Sequence, residues 1–330
     1  MISRHTRRRD FIMLLGAATA WPMAAWPQPN IPVIGFLSNL SPDPIAQPLA
    51  AFRQALHEAG YVEGHNMAIE FRWAEGHNHL LPELAADLVR RQVAVIVATG
   101  GGLSALAAKA ASPTIPIVFS TASDPVALGL VAGLNRPGGN ATGVFILANS
   151  LEAKRLGLLH EIVPQASTIA MLLNPRGPGA QVQLVEVQDA ARMLSRPIPV
   201  LYATSEADID AAFVKLFELR AEALLVAADP FFNSRREQLI ALAMHHAIPA
   251  IYEFREFPLA GGLMSYGTSL VNAYHEVGAY TGRILKGEKP SELPVLQPTR
   301  FELVINLKTA SALGLTIPQT LLVSADEVIE

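Results

Sequence analysis

"VATGGGLSALAAKA", residues 97–110, reads as the end of a strand, three glycines and the opening of a helix. Gly100 to Ala105 also fits G-x-G-x-x-A, the spacing of a dinucleotide-binding turn. Three readings of the loop compete: a cradle for a pyrophosphate, a seat for a smaller anion, or a tight turn with close helix packing.

Outward from this loop the chain alternates short apolar runs with amphipathic stretches. "IPVIGFLS" (31–38), "MAIEFRWAE" (67–75), "VAVIVAT" (93–99), "IPIVFST" (115–121) and "NATGVFI" (140–146) read as strands. Leu49, Phe52, Leu56 and Ala59 recur at helical spacing, as do Leu81, Leu84, Leu88 and Val89, and residues 103–111 form a third helix. The pattern then restarts. Helices are expected at 151–163, 182–194, 209–219 and 234–246, with strands at 168–175, 198–204, 221–230, 248–254 and 261–267. A long helix over 270–285 follows, and "FELVINLKTASALGL" (301–315) ends the ordered pattern. Strand–helix alternation of this kind makes an α/β fold, and here it predicts two doubly wound, Rossmann-like arrays.

The dinucleotide reading meets two obstacles. The fingerprint belongs in the first strand–helix turn, with an acidic residue after the next strand. Asp124 does follow the next strand, but the loop follows the third strand, and the first turn, "LSNLSPDP", has no glycine. No Lys-Ser or Lys-Thr closes the loop, and Lys109 lies a full helix later, so a phosphate-binding P-loop is excluded. A glycine-rich helix start can still hold one carboxylate, through backbone N–H groups at the positive end of the helix dipole.

The composition narrows the function classes. Hydrophobic residues make up 51% of the 330, and charged residues 16%, which suits strands buried on both faces. The absence of cysteine removes disulfides, thiolate metal sites, thiol catalysis and an anchoring lipidated cysteine. There is no G-x-S-x-G elbow and no H-E-x-x-H pair; His77, His79, His245 and His246 read as solvated histidines, and no acid/base carboxylate pair stands out. With a net charge of −4 and no basic run past the N-terminus, nucleic acid is not an expected partner. The first 26 residues have a basic start, a short apolar stretch and small residues, the pattern of a cleaved export signal. Arg8-Arg9-Asp10-Phe11-Ile12 is twin-arginine-like, with Arg7 where Ser or Thr is usual; an ordinary secretory signal is the alternative. Cleavage after Ala20 or Ala25 is expected, and loss of residues 1–25 removes four arginines and one aspartate, taking the charge from −4 to −7.

Residues 60–76, 115–144 (including Asp124-Pro125 and "RPGGNATG"), 171–175 and "LVINLKTASALGLTIPQTLL" (303–322) resemble the substrate-binding proteins of ABC transporters with the type I periplasmic fold, in the branch with tryptophan- and tyrosine-binding receptors. The resemblance covers about residues 31–325. It implies two lobes joined by a hinge: 31–148 with about 268–298, and 149–267 with about 299–330. It also implies a small-molecule solute between the lobes, a membrane permease as partner, a periplasmic monomer, no cofactor and no catalysis. The runner-up is a Rossmann-type dinucleotide-dependent enzyme; a regulator on the same fold lacks a helix-turn-helix before Ile31. Ligands of open α/β sheets lie outside the carboxyl ends of the strands. Strand ends then give a first wall of Ser38, Asn39, Ser41, Thr99, Gly100, Gly101, Ser104, Thr121 and Asp124. The second wall is Asn174, Asp229, Phe231, Tyr252, Glu253 and Tyr266. Hydroxyls and N–H groups suit a carboxylate, Asp229 or Glu253 an ammonium, and the aromatic residues a flat side chain. Asp124 also fits a purely structural role as a cap.

Overall fold

The computed structural model describes residues 31–194, 196–298 and 300–330. The export signal read at 1–26 lies outside them. The first array contains β1 (Val33–Ser38), α1 (Ala46–Glu58), β2 (Ala68–Trp73), α2 (Leu81–Arg90), β3 (Val95–Thr99), α3 (Gly102–Ala111), β4 (Ile117–Thr121) and β5 (Ala141–Phe145). Its five strands are parallel, in the order β2-β1-β3-β4-β5. Alternate residues of β1 feed opposite faces, as the two-residue period of a strand requires. Ile34 and Phe36 join the core under α1, whereas Leu37 joins the core under α2 and α3.

The second array contains α4 (Glu152–Ile162), β6 (Ile169–Leu173), α5 (Ala180–Met193), β7 (Val200–Tyr202), α6 (Glu206–Glu218) and β8 (Ala223–Val226). It continues with α7 (Pro230–Ser234), α8 (Arg236–His245), β9 (Ala250–Tyr252), α9 (Glu256–Leu259) and β10 (Met264–Gly267). Then come α10 (Leu270–Leu285), β11 (Glu302–Asn306), α11 (Leu307–Ala312), α12 (Gln319–Ser324) and β12 (Glu327–Ile329). The sheet order is β12-β11-β10-β9-β8-β6-β7, parallel except where β11 runs antiparallel to β10.

The chain passes between the sheets three times. After β5 it enters α4, which packs on β8 and β9; after β10 it returns, because α10 packs on α1 and the first sheet. The Thr142 hydroxyl donates to Leu293 O, and Leu296 exchanges backbone bonds with Gly143 and Phe145, before β11 joins the second sheet. Two of the crossings are tied together where the buried Thr268 hydroxyl donates to Ile146 O at 3.0 Å.

Two local expectations are corrected. The helix read over 234–246 is α8, but a short helix not read from the sequence precedes it: β8 ends at Val226, Asp229 caps α7 from Pro230, and Arg235, at φ −109°, separates α7 from α8. Order also continues beyond 315. β12 pairs with β11, helped by Asp326 Oδ2, which accepts from Leu303 N. Three half-buried residues give too weak a periodic signal to be read as a strand.

Candidate functional site

The carboxyl ends of β1, β3, β4, β8 and β9 meet in one cleft. The loop after β3 forms its first wall. Gly100 and Gly101 have φ +77° and +120°, and α3 begins at Gly102. A side chain at Gly100 would be strained by its positive φ, and its Cβ would fall 2.3 Å from Asn39 Oδ1. The loop also reaches across the cleft: a Cβ on Gly101 would stand 3.0 Å from Pro230 Cγ.

Two connected spaces fill the cleft. A polar one, of about 610 Å³ including the part open to solvent, is bounded by Asn39, Asn78, Ser123, Asn149, Asn174 and Asp229, the glycine loop, and Gly177–Gly179. Phe231 flanks it, and the exposed Arg176 stands at its rim. The other, of about 440 Å³, is more apolar. Leu40, Ile45, Ile146, Phe254, Leu270 and Tyr274 line it, with Ser120, Asp229 and Glu253.

Asp229 does two things at once. As the N-cap of α7, its Oδ1 accepts from Phe231 N and from Asn174 Nδ2, both at 2.9 Å. Its Oδ2 faces Gly177, where a Cβ would lie 2.4 Å away. Burial pushes its carboxyl up to about 6, against those two bonds, which hold it down. Glu253 follows β9 and is buried, and among the described residues no hydrogen bond to its carboxylate is found. Burial raises it well above the usual carboxylate range, with Arg155 acting in the opposite direction. Beneath them lies a fully buried pair: Arg155 Nη2 donates to Glu152 Oε1 at 2.9 Å, and Glu152 Oε1 also accepts from Ala228 N. Arg155 Nε and Nη1 and Glu152 Oε2 have no partner among the described residues. Buried groups left this way cost stability unless another group completes them.

The structure gathers Asn39, Gly100, Gly101, Asn174, Asp229, Phe231 and Glu253 on the cleft. It places the other expected site residues elsewhere. Ser38, Thr99 and Ser104 are buried behind the glycine loop: Ser38 Oγ accepts from Leu40 N, while the Ser104 hydroxyl has no partner among the described residues and Thr99 lies beside the Tyr274 hydroxyl. Thr121 Oγ1 accepts from Ser123 N, and Asp124 Oδ1 caps its own turn at Val126 N and Ala127 N. Ser41 lies on an outer groove with Arg235 and Arg236. Tyr252 is in the second-array core, its ring stacked on Phe257 at 4.3 Å, and Tyr266 stacks on Phe301. Strand alternation turns Tyr252 inward while Glu253, the next residue, reaches the cleft.

Sequence reasoning missed Asn149, Ser123, the turn at Gly177–Gly179, Asn233 and Tyr274. Asn149 Nδ2 donates to Ser123 Oγ at 3.1 Å, and a Cβ on Gly179 would collide with that amide at 1.5 Å. The close-set glycines of "NPRGPG" (174–179) were the available signal.

The family described as ABC transporter substrate binding protein matches residues 30–329. The chain belongs to that family. Its members are extracytoplasmic receptors that bind small-molecule solutes and work with ABC permeases. The substrate-binding protein is 26% identical over 264 residues to a tyrosine-binding protein of Clostridioides difficile (strain R20291), covering 80% of this chain and 75% of that one. A conserved domain protein of Vibrio cholerae superposes with a TM-score of 0.81 at 25% identity, covering 90% and 99% of the two chains. An ABC domain of Streptococcus pneumoniae in complex with L-Trp superposes equally well, at 24% identity over 90% and 99%. The fold is that of a two-lobed type I periplasmic binding protein. Among the described residues no helix is long and apolar enough to cross a membrane.

Proposed function

We propose that this substrate-binding protein is a soluble, monomeric periplasmic receptor that captures a small carboxylate, an amino acid or an aromatic acid, and delivers it to an ABC importer. One observation carries the reading: a neutral, N–H-rich loop at Gly100–Gly102 faces the carboxylates of Asp229 and Glu253 across one cleft. Backbone N–H groups at the start of α3 suit a carboxylate, the helix dipole adding about 0.3–1 kcal/mol when exposed and up to ~2 kcal/mol when partly buried. The opposite carboxylates suit an ammonium. Closing the lobes removes water and strengthens both sets of bonds, so closure depends on the solute. The tyrosine-binding relative supports an amino-acid class. The twin-arginine-like start, outside the described residues, supports export.

A thermal-shift screen over the twenty amino acids and small aromatic carboxylates, with NAD as the contrasting probe, tests this. A rise in Tm with an acid and none with NAD is the expected result. Stabilisation by NAD alone, or consumption of the bound acid, overturns it.

A further inference from the structure

Five of the described non-glycine residues have a left-handed backbone, and four of them occupy ordinary places for it. Gln92, Arg220 and Ala247 close α2, α6 and α8, and Glu75 sits in the turn after β2; helix ends and turns often reverse in this way. The fifth is Leu147, at φ +53° and ψ +13°. It closes no helix. It lies on the crossing that carries the chain from β5 to α4, and a bulky side chain in that region strains the backbone.

The neighbours of Leu147 are anchored to different arrays. Ile146 is held on the first: its N–H donates to Thr121 O at 2.9 Å, and its carbonyl accepts from Thr268 on the second crossing. Ala148 is held on the second: its carbonyl accepts from Nη2 of the fully buried Arg155 of α4. The same Nη2 donates to Glu152 Oε1, which also accepts from Ala228 N, while Ala228 O accepts from Gln183 Nε2 at 3.0 Å. Ala228 lines both spaces of the cleft. Rotation of one lobe against the other along this crossing therefore falls on Leu147, and its far anchor is continuous with the cleft floor.

The two walls stand close together. A Cβ on Gly101 would lie 3.0 Å from Pro230 Cγ, and Asn149, next to Ala148, donates to Ser123 Oγ on one side and abuts Gly179 on the other. The left-handed turn thus belongs to an arrangement in which the walls meet.

We propose that Leu147 is a positioning residue that tunes solute affinity: its left-handed strain, held between the Thr268 and Arg155 anchors, opposes closure of the lobes. The proposal rests on the receptor reading and adds the residue that governs its closure. A solute that binds the closed lobes must offset the strain, and apparent affinity falls with the fraction of free protein that is closed. Residues that enter the left-handed region more easily, glycine and then asparagine, should bind more tightly, and a β-branched residue more weakly.

The chain has no cysteine, so Glu83→Cys on α2 and Glu218→Cys on α6, both at exposed positions, place one spin label on each lobe of the full-length protein. Double electron–electron resonance on the free protein reads the lobe separation, with Leu147→Gly, Leu147→Asn and Leu147→Val in that background. Isothermal titration calorimetry of the unlabelled variants reads affinity for whichever of the twenty amino acids raises the parent Tm most. Leu147→Gly and Leu147→Asn should enlarge the short-distance population and tighten binding by about tenfold; Leu147→Val should shrink it and weaken binding by about tenfold. Leu147 also packs against the first-array core, so Leu147→Gly and Leu147→Asn should lower Tm while raising affinity, whereas loss of a merely structural residue would not tighten binding. Arg155→Lys keeps the charge but withdraws the guanidinium that joins Ala148 O to Glu152, and should abolish the effect of Leu147→Gly; if Arg155→Lys does not fold, the Leu147 series decides. Distance distributions that stay the same across that series, or affinities that fall with Tm, overturn the proposal and leave the receptor standing. Binding of none of the amino acids overturns the amino-acid reading, and the distance series still decides the role of Leu147.

Discussion

The first-array wall of the cleft is built from backbone and neutral side chains, the second-array wall from buried carboxylates, and the two are held by different means. The glycine loop is fixed by local geometry: positive φ at Gly100 and a close approach to Asn39. On the second wall Asp229 is held by Phe231 N and by Asn174 from the end of β6, and Glu253 lies in the field of the buried Arg155 of α4. One wall depends on which residue occupies a position, the other on which groups the fold brings beside it. Substitutions should therefore act locally on the first wall and through the buried charge balance on the second.

The largest effect is expected under the second wall. Arg155→Met leaves Glu152 buried without its cation, and removal of one partner of such a pair costs about 3–5 kcal/mol. Chemical denaturation at pH 7 should show that loss; a change below about 1 kcal/mol would mean the wall is not held by the pair.

Next comes Asp229 itself. Its folded-state pKa, about 6, stands above the ordinary 3.8. The folded protein therefore binds more protons than the unfolded chain in that interval, and stability falls as pH rises from about 4 to 6. The fall attributable to this group is about 3 kcal/mol at most. Asp229→Asn should flatten that part of the curve in denaturant midpoints measured from pH 4 to 7; an unchanged slope would place the titration on another group.

The first wall should respond more mildly in stability. Gly100→Ala forces a side chain into the left-handed region and against Asn39, with an expected loss of about 1–3 kcal/mol. Solute-induced stabilisation should vanish as well. Full retention of both would show that the loop can move aside.

The smallest effect is expected at Ser104. Its hydroxyl is buried and has no partner among the described residues, and it lines neither space in the cleft. Ser104→Ala should raise stability by up to about 1 kcal/mol, because it removes an unsatisfied group, and should change solute affinity by less than about threefold. A tenfold loss of affinity would bring the hydroxyl onto the solute and erase the distinction between wall and backing.

The sequence by itself determined the α/β class and the two doubly wound arrays. Parallel strands buried on both faces demand continuous apolar runs such as "VIVAT" (95–99) and "IAMLL" (169–173), and their helices demand a 3.6-residue stripe. It also marked the Gly100–Gly102 turn, because only glycine tolerates those dihedrals at no cost, and it singled out Asp229 as a strand-end acid before a proline. Tertiary structure alone decided which strand ends share a cavity. Glu253 reaches the cleft while its neighbour Tyr252 packs under Phe257, and Thr99 and Ser104 lie buried behind the glycine loop. Asn149 and Tyr274 enter the site from a crossing segment and from α10, far from the glycine loop in the chain. Charge state belongs to the same category. A carboxylate written as Asp or Glu has an ordinary pKa until burial removes its water, and how much water remains is set by helices that the local sequence does not contain.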